Sequence, residues 1–325
     1  MEGEIILVTG GLGFIGSHTT RALLDLGESC VLVQRRKPVL PDDLAGLEGR
    51  RVFAERADVT DLAALLEVGA RHRITGLVHL AGSVPWPPGA AEPVDGARMA
   101  IGSLLNVLQA ALAWQVPRVA IASTIGVYGG TSEQSPLRED LPLPMTAGHV
   151  IPAFKKIGEL LADYLADATG IEVINLRISP WGPGGNPMPS FTAVPQLVHA
   201  GARGTAPDFS ALRSPAYADD GSDMCYVKDC ARAIALLQLA PRLSHRTYNV
   251  AAGQVLTNRD VAATVKRLVP DARIELPEGR SPAGSGQGIC LDISRLRQDT
   301  GYEPAYDLQT AVADYLAWLR AGHQR

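Results

Sequence analysis

The stretch Glu4-Ile5-Ile6-Leu7-Val8-Thr9-Gly10-Gly11-Leu12-Gly13-Phe14-Ile15-Gly16 constrains this chain more than any other. An unbroken run of β-branched and aliphatic residues reads as a strand buried on both faces. It passes directly into Gly10, Gly13 and Gly16. A helical apolar pattern then follows through Thr20, Leu23, Leu24 and Leu26 and stops at Gly27. Strand, glycine turn and helix in this order make a phosphate cradle. Glycines let the backbone turn tightly and approach a pyrophosphate, and the amides of Phe14, Ile15 and Gly16 meet it with the positive end of the helix dipole. A tight turn with no ligand has the same outline when the motif stands alone, but the spacing and the strand-turn-helix context favour the ligand. The expected fold is α/β, a doubly wound parallel (Rossmann-type) sheet.

The totals narrow the function. A chain of 325 residues can bury a large core. A net charge of −4 and 5% aromatic residues supply neither the basic face nor the stacking rings that nucleic acid requires, so no nucleic-acid partner is expected. The first strand begins within a few residues of Met1, and no apolar run reads as long enough to span a bilayer. The expectation is a cytoplasmic protein with neither signal peptide nor membrane partner. Cys30, Cys225, Cys230 and Cys290 are scattered, with no second pair and no nearby histidine, so reduced thiols and no metal site are expected.

The second strand, Cys30-Val31-Leu32-Val33-Gln34, leads into Arg35-Arg36-Lys37. In NAD-preferring members of this fold an acid at the end of this strand binds the adenine-ribose hydroxyls. Gln34 stands there instead. Arg35 and Arg36 offer planar forks for a 2′-phosphate. The two features favour NADP(H) over NAD(H), against the plainer reading of a solvated basic turn.

Thr9-Gly10-Gly11-Leu12-Gly13-Phe14-Ile15-Gly16 resembles the signature of the extended short-chain dehydrogenase/reductase family, the NAD(P)-dependent epimerases, dehydratases and reductases. The resemblance continues along nearly the whole chain. Ala57-Asp58-Val59 resembles the step whose Asp approaches the adenine amine, although Asp58 also suits a turn, with Thr60 or Asp61 as a helix N-cap. Strand 76–82 resembles the family's His-Leu-Ala-Ala element, which would place Leu80, Ala81 and Gly82 beside the nicotinamide half of the cofactor and make His79 structural. Ser83 and Trp86 follow in a proline-rich loop at a strand's carboxyl end, where such sheets bind substrate; Trp86 reads equally as a packed loop anchor. Ser123-Thr124-Ile125-Gly126-Val127-Tyr128-Gly129 is similar to the family's Ser-Ser/Thr-x-x-Val-Tyr-Gly, which gives Thr124 the substrate-facing hydroxyl and leaves Ser123 as a strand-end cap.

The resemblance implies a dinucleotide-binding domain over 1–178 and a mainly substrate-binding lobe over 179–325, with segments near 223–255 returning to the sheet. Ser179 falls at the start of that lobe as a substrate contact. Three family positions are changed: Met99 replaces an Asn, Ser222 replaces the Arg that grips pyrophosphate in many nucleotide-sugar members, and the tyrosine of Tyr-x-x-x-Lys is missing. Asp208, Asp219, Asp220 and Asp223 crowd the expected mouth and count against an anionic nucleotide-diphosphate substrate. A homodimer through the helices at 92–114 and 152–169 is the family expectation. Leu160, Leu161, Tyr164 and Leu165 form the second helix's apolar stripe.

Lys155, followed by Gly158-Glu159, matches the motif lysine, and Ile151 occupies the tyrosine position. Counting from Lys156 gives Pro152, so no register restores the motif. In the family that tyrosine exchanges the proton, and the lysine holds the nicotinamide ribose. Three alternatives remain: His149 or Tyr128 moves the proton, Lys155 or water does, or the protein is a non-catalytic NAD(P)-binding regulator. The leading expectation is an NAD(P)-dependent oxidoreductase, epimerase or dehydratase acting on a small hydroxy, keto or sugar-derived substrate.

Overall fold

The computed structural model describes residues 5–82, 92–184, 192–212, 214–282 and 287–323. Ser83 and Trp86 lie outside them. The central sheet has seven strands: β1 (Ile5–Thr9), β2 (Ser29–Gln34), β3 (Val52–Arg56), β4 (Gly76–His79), β5 (Arg118–Thr124), β6 (Glu172–Ile178) and the edge strand 247–250. All pair in parallel, in the spatial order 247–250, β6, β5, β4, β1, β2, β3. The order reverses between β1 and β4, which opens a crevice at their carboxyl ends.

Side-chain alternation builds one core on each face. Ile6, Val8, Leu32 and Val78 face α1 (Phe14–Asp25) and the helix at 227–239. Leu7, Val31, Leu77 and Val119 face the other layer, which carries α3 (Leu62–Arg71, after the short α2 at Asp42–Ala45), α4 (Pro93–Ala113) and α5 (Val150–Thr169). Parallel strands covered on both sides read as continuous apolar runs, which is why β1 was visible in the sequence.

Beyond β6 the chain forms β7 (Pro180–Trp181), α6 (Ala193–Arg203), β8 (Gly221–Ser222), β9 (Cys225–Tyr226), α7 (Val227–Leu239), β10 (Thr247–Val250), β11 (Leu256–Thr257), α8 (Asn258–Leu268), β12 (Gln287–Ile289), α9 (Ser294–Thr300) and α10 (Leu308–Arg320). β11, β8 and β12 form a small second sheet. A third core around Leu197, Val261, Val265 and Leu316 packs α6, α8 and α10 together. β10 closes the edge of the main sheet beside β6. α7 ends without glycine; the buried Arg118 collects the carbonyls of Leu237, Gln238 and Ala240 at 2.6–3.0 Å in its place.

Three sequence expectations need correction. β4 ends at His79 rather than Gly82, because the Thr9 hydroxyl turns the next two amides aside, lying 3.2 Å from both Leu80 N and Ala81 N. The α5 apolar stripe is split. Leu165 packs against the core and Leu161 is half-buried, but Leu160 and Tyr164 are 64% and 67% exposed, and the fully buried face carries Pro152, Gly158, Glu159, Ala162 and Ala166. Small side chains let α5 lie close to the sheet, and Leu160 and Tyr164 are left outside. Finally, α4 is long and apolar enough to cross a membrane by length and composition, contrary to the sequence reading. Here it packs against the sheet through Leu104, Val107, Leu108, Ala110 and Ala111.

Candidate active site

The glycine turn has the shape of a cradle, and its tightness is measurable. Gly10 takes φ +70°, and a Cβ on it would sit 3.1 Å from the Ala81 backbone at the β4 end. A Cβ on Gly16 would sit 2.0 Å from the Gly10 carbonyl oxygen, so the first turn of α1 rests directly on the loop. Gly13 N donates to Gly10 O at 2.8 Å and closes the turn. α1 starts with no side-chain cap and no acid in its first turn, so the amides of Phe14, Ile15 and Gly16 face outward with an uncancelled positive dipole end. These residues fit a dinucleotide pyrophosphate.

Thr9 joins the two sides of the crevice. Its Oγ1 lies 2.7 Å from His79 Nδ1, and both residues are buried. Burial, reinforced by the nearby Lys155 charge, pushes the imidazole down to about 3. His79 is therefore a neutral structural group that holds Leu80 and Ala81 beside Gly10. Gly82 has open space where a side chain would be.

At the β2 end, the hydrogen-bonding groups around Gln34 are matched when its amide oxygen is assigned to the loop side, where it accepts from Gly11 N at 3.0 Å and Leu12 N at 2.5 Å. That oxygen is spent on the cradle and is not held out for a ribose, contrary to the direct contact expected of Gln34. Arg35 and Arg36 are exposed, with no hydrogen bond or ion pair among the described residues. Asp58 closes a turn, its Oδ1 accepting from Thr60 N at 3.0 Å and Thr60 Oγ1 at 2.8 Å, while Asp61 caps α3. Asn106 of α4 donates to the Val59 carbonyl at 3.1 Å and fixes that step against the sheet.

Thr124 ends β5, half-buried. Its Oγ1 accepts from Gly126 N at 3.1 Å, which leaves the hydroxyl proton to donate. Lys155 Nζ donates to the Ala122 carbonyl at 2.5 Å, two residues earlier on the same strand. Burial pulls this ammonium down to about 8, with Glu159 acting in the opposite direction. The neighbouring Lys156 faces away and ties the carbonyls of Pro144 and Thr146. Of the two lysines, Lys155 is therefore the one that reaches β5. Ile151 is half-buried one turn before Lys155, and Pro152 packs against Gly126. His149 is half-buried at the N-cap position of α5. Ser179 is half-buried, and its carbonyl accepts from Cys225 N at 2.8 Å, joining β7 to β9.

Tyr128 does not stand at the crevice. It is 1% exposed, donates to Asn249 Oδ1 at 2.8 Å, accepts from Arg177 Nη1 at 2.8 Å, and has its phenol pushed up by burial. A hydroxyl sealed in this way has no route to a substrate, and Tyr128 leaves the set of proton carriers. Ser123 does not cap backbone; it donates to the Glu159 carboxylate. Glu159 also takes the Arg177 fork at 2.7–3.3 Å. Sequence alone does not mark this buried cluster as a unit, because Glu159 of the lysine motif and Arg177 of β6 meet only in the fold.

The acids of the expected mouth also read differently in the structure. Asp219 pairs with Arg259 at 2.8 Å, and Asp220 accepts from the backbone amides of Tyr217 and Ser281. Asp223 is fully buried on the amides of Ala252, Gly253 and Leu291. Asp208 stays exposed, accepting from Ser210 N at 3.0 Å, but with Asp219 paired to an arginine and Asp220 and Asp223 bound to backbone amides the electrostatic argument against an anionic substrate weakens.

The sequence model of the NAD dependent epimerase/dehydratase family matches residues 6–251. A UDP-glucose 4-epimerase from Azospirillum brasilense is 28% identical, over 98% of this chain and 93% of its own length. A dTDP-glucose 4,6-dehydratase from Streptomyces griseus is 27% identical over 96% and 93%. Among solved structures, an epimerase from Methanothermobacter thermautotrophicus superposes with a TM-score of 0.83 at 18% identity, covering 99% of this chain and 93% of that one. L-threonine 3-dehydrogenase from Trypanosoma brucei superposes with a TM-score of 0.82 at 22% identity over 98% of both chains.

Proposed function

The chain belongs to the NAD-dependent epimerase/dehydratase family, within the extended short-chain dehydrogenases/reductases, and from that premise we propose that it is an oxidoreductase, epimerase or dehydratase acting on a small hydroxy or keto compound, sugar derivatives included. The observation that carries this reading is the Lys155 ammonium, buried beneath β5 and bonded two residues short of the Thr124 hydroxyl. When bound, the nicotinamide supplies hydride acceptance and return at the substrate carbon. Thr124 donates its free proton to the substrate oxygen and orients it. Lys155 would hold the ribose of the bound cofactor and also carry the substrate proton in place of the missing phenol. An ammonium brought down to about 8 exchanges protons near neutral pH, where a general acid or base is most effective. We assign the proton to Lys155 rather than His149 because Ile151, Lys155 and Glu159 follow one another at helical spacing on one face of α5, and His149 precedes the helix.

The cofactor in this reading is NADP(H). Its support is the pair of unpaired, exposed arginines behind a glutamine whose oxygen is already spent. Replacing Arg35 and Arg36 with Ala is expected to weaken NADPH binding at least about tenfold by titration and to leave NADH binding unchanged. Equal loss for both cofactors would defeat the assignment.

The division near residue 178, a cytoplasmic location and a homodimer belong to the same proposal. Four free thiols, three of them buried, support the location. Exposed Leu105 and Leu112 of α4 with Ile157, Leu160 and Tyr164 of α5 support the dimer. A solution mass of one chain at micromolar concentration would rule the dimer out.

A further inference from the structure

The cluster beneath Lys155 has a use beyond holding the helix in place. Lys155 and Glu159 lie one turn apart on α5, and both reach β5, at adjacent residues: Lys155 to the Ala122 carbonyl, Glu159 to the Ser123 hydroxyl. Glu159 is further clamped by the Arg177 fork from β6, and Arg177 is held in turn by Tyr128 and the Glu139 carbonyl. Glu159 and Arg177 have only 8% and 5% of their side chains exposed. We infer that Glu159 is a positioning residue for Lys155, fixing the rotation of α5 on β5 and placing a negative charge one helical turn from the Lys155 ammonium. The inference rests on the reading that Lys155 serves the reaction.

The surroundings of Lys155 are consistent with this. A small cavity lined by His79, Ser103, Ser123, Lys155 and Glu159 lies between the sheet and the helices α4 and α5. From β4 the group facing it is neutral His79. From α4 it is Ser103, and from β5 it is Ser123, neither of which is charged. Arg177 of β6 spends its charge on Glu159, and Lys156 of the same helix turns to the 144–146 carbonyls. Glu159 therefore opposes burial, which on its own would drive the lysine further towards the neutral amine.

The chain has five lysines, at 37, 155, 156, 228 and 266. Lysine-selective isotopic labelling gives five side-chain signals, and Lys155→Met identifies the one at the site. In Glu159→Gln the Lys155 midpoint is expected to fall by about one pH unit or more. Glu159→Asp, which keeps the charge, should return it towards the wild-type value. An unmoved midpoint in Glu159→Gln overturns the proposal. If the midpoint moves and the pH dependence of kcat/KM does not follow, Glu159 still acts on Lys155, but Lys155 is not the proton carrier. Should Glu159→Gln fail to fold, Glu159→Gln with Arg177→Met removes both charges of the buried pair together, a change such pairs tolerate well. The midpoint is again expected to fall, and no fall overturns the proposal.

Discussion

Lys155→Met is expected to lower turnover by about 10²–10⁴-fold while making the protein more stable. The loss follows from removing the ammonium that bonds to β5 two residues before Thr124 and that the proposal makes the proton carrier. The gain follows from burial. The folded protein holds this ammonium at about 8, against 10.5 for a free lysine, so the charged form is disfavoured in the fold. The sign follows directly. Between these two values the unfolded chain binds the extra proton and the folded chain does not, so wild-type stability rises with pH across this window. Below about 8 the full penalty applies, and above 10.5 it has gone. Methionine keeps the stem and removes the penalty, worth roughly 1–3 kcal/mol at neutral pH. Denaturant titrations of both proteins at pH 7 and pH 10 check this: the gap should be large at the lower pH and nearly closed at the higher one. A less stable variant at pH 7 would mean that the Ala122 bond outweighs the cost of burial.

Gly16→Ala is expected to abolish useful cofactor binding, with an affinity loss of about 100-fold or more. Helix propensity alone predicts the opposite, a gain of roughly 1 kcal/mol for Gly→Ala inside a helix. Here the new Cβ would meet the Gly10 carbonyl oxygen at 2.0 Å, its carbon at 2.8 Å and Gly11 Cα at 2.9 Å. All three are backbone atoms that cannot rotate away, so the cradle must open and its amides lose their common focus. Titration with NADPH and a melting curve together read this: affinity lost with the fold retained. Unchanged affinity would show that the loop opens at no cost and that the turn is not a pyrophosphate cradle.

How much could be read in advance depends on how local each signal is. The glycine turn, β1 and the parallel sheet were legible because buried parallel strands are continuously apolar and because Gly16 has no sterically possible substitute. The motif count singles out Lys155 and Ile151, which the structure places one turn apart on α5 with Lys155 reaching β5. Long-range partners were not legible. Tyr128 looked like a free phenol in a loop, and only its bonds to Asn249 and Arg177, distant in sequence, show it to be structural. On α5, periodicity marks Leu160, Leu161, Tyr164 and Leu165 as one apolar face without saying what that face meets; Leu165 reaches the core, while small residues take the closest sheet contact and Leu160 and Tyr164 stay exposed. The acids at 219–223 read as a repulsive mouth because their partners, Arg259 and backbone amides from three loops, come from other parts of the chain. Gln34 does end β2, as counting from the glycine turn places it, but its turn inward onto Gly11 and Leu12 depends on loop geometry that composition does not carry.

The central claim is that this chain is a dinucleotide enzyme site in which NADP(H) is held by the glycine cradle and Arg35-Arg36. The most direct test titrates the purified full chain with NADPH and with NADH, after checking by mass for any nucleotide released on denaturation. The account predicts saturable binding of both, with NADPH tighter by about tenfold or more. Tightly retained NAD(H), equal affinities, or no binding of either cofactor would contradict it.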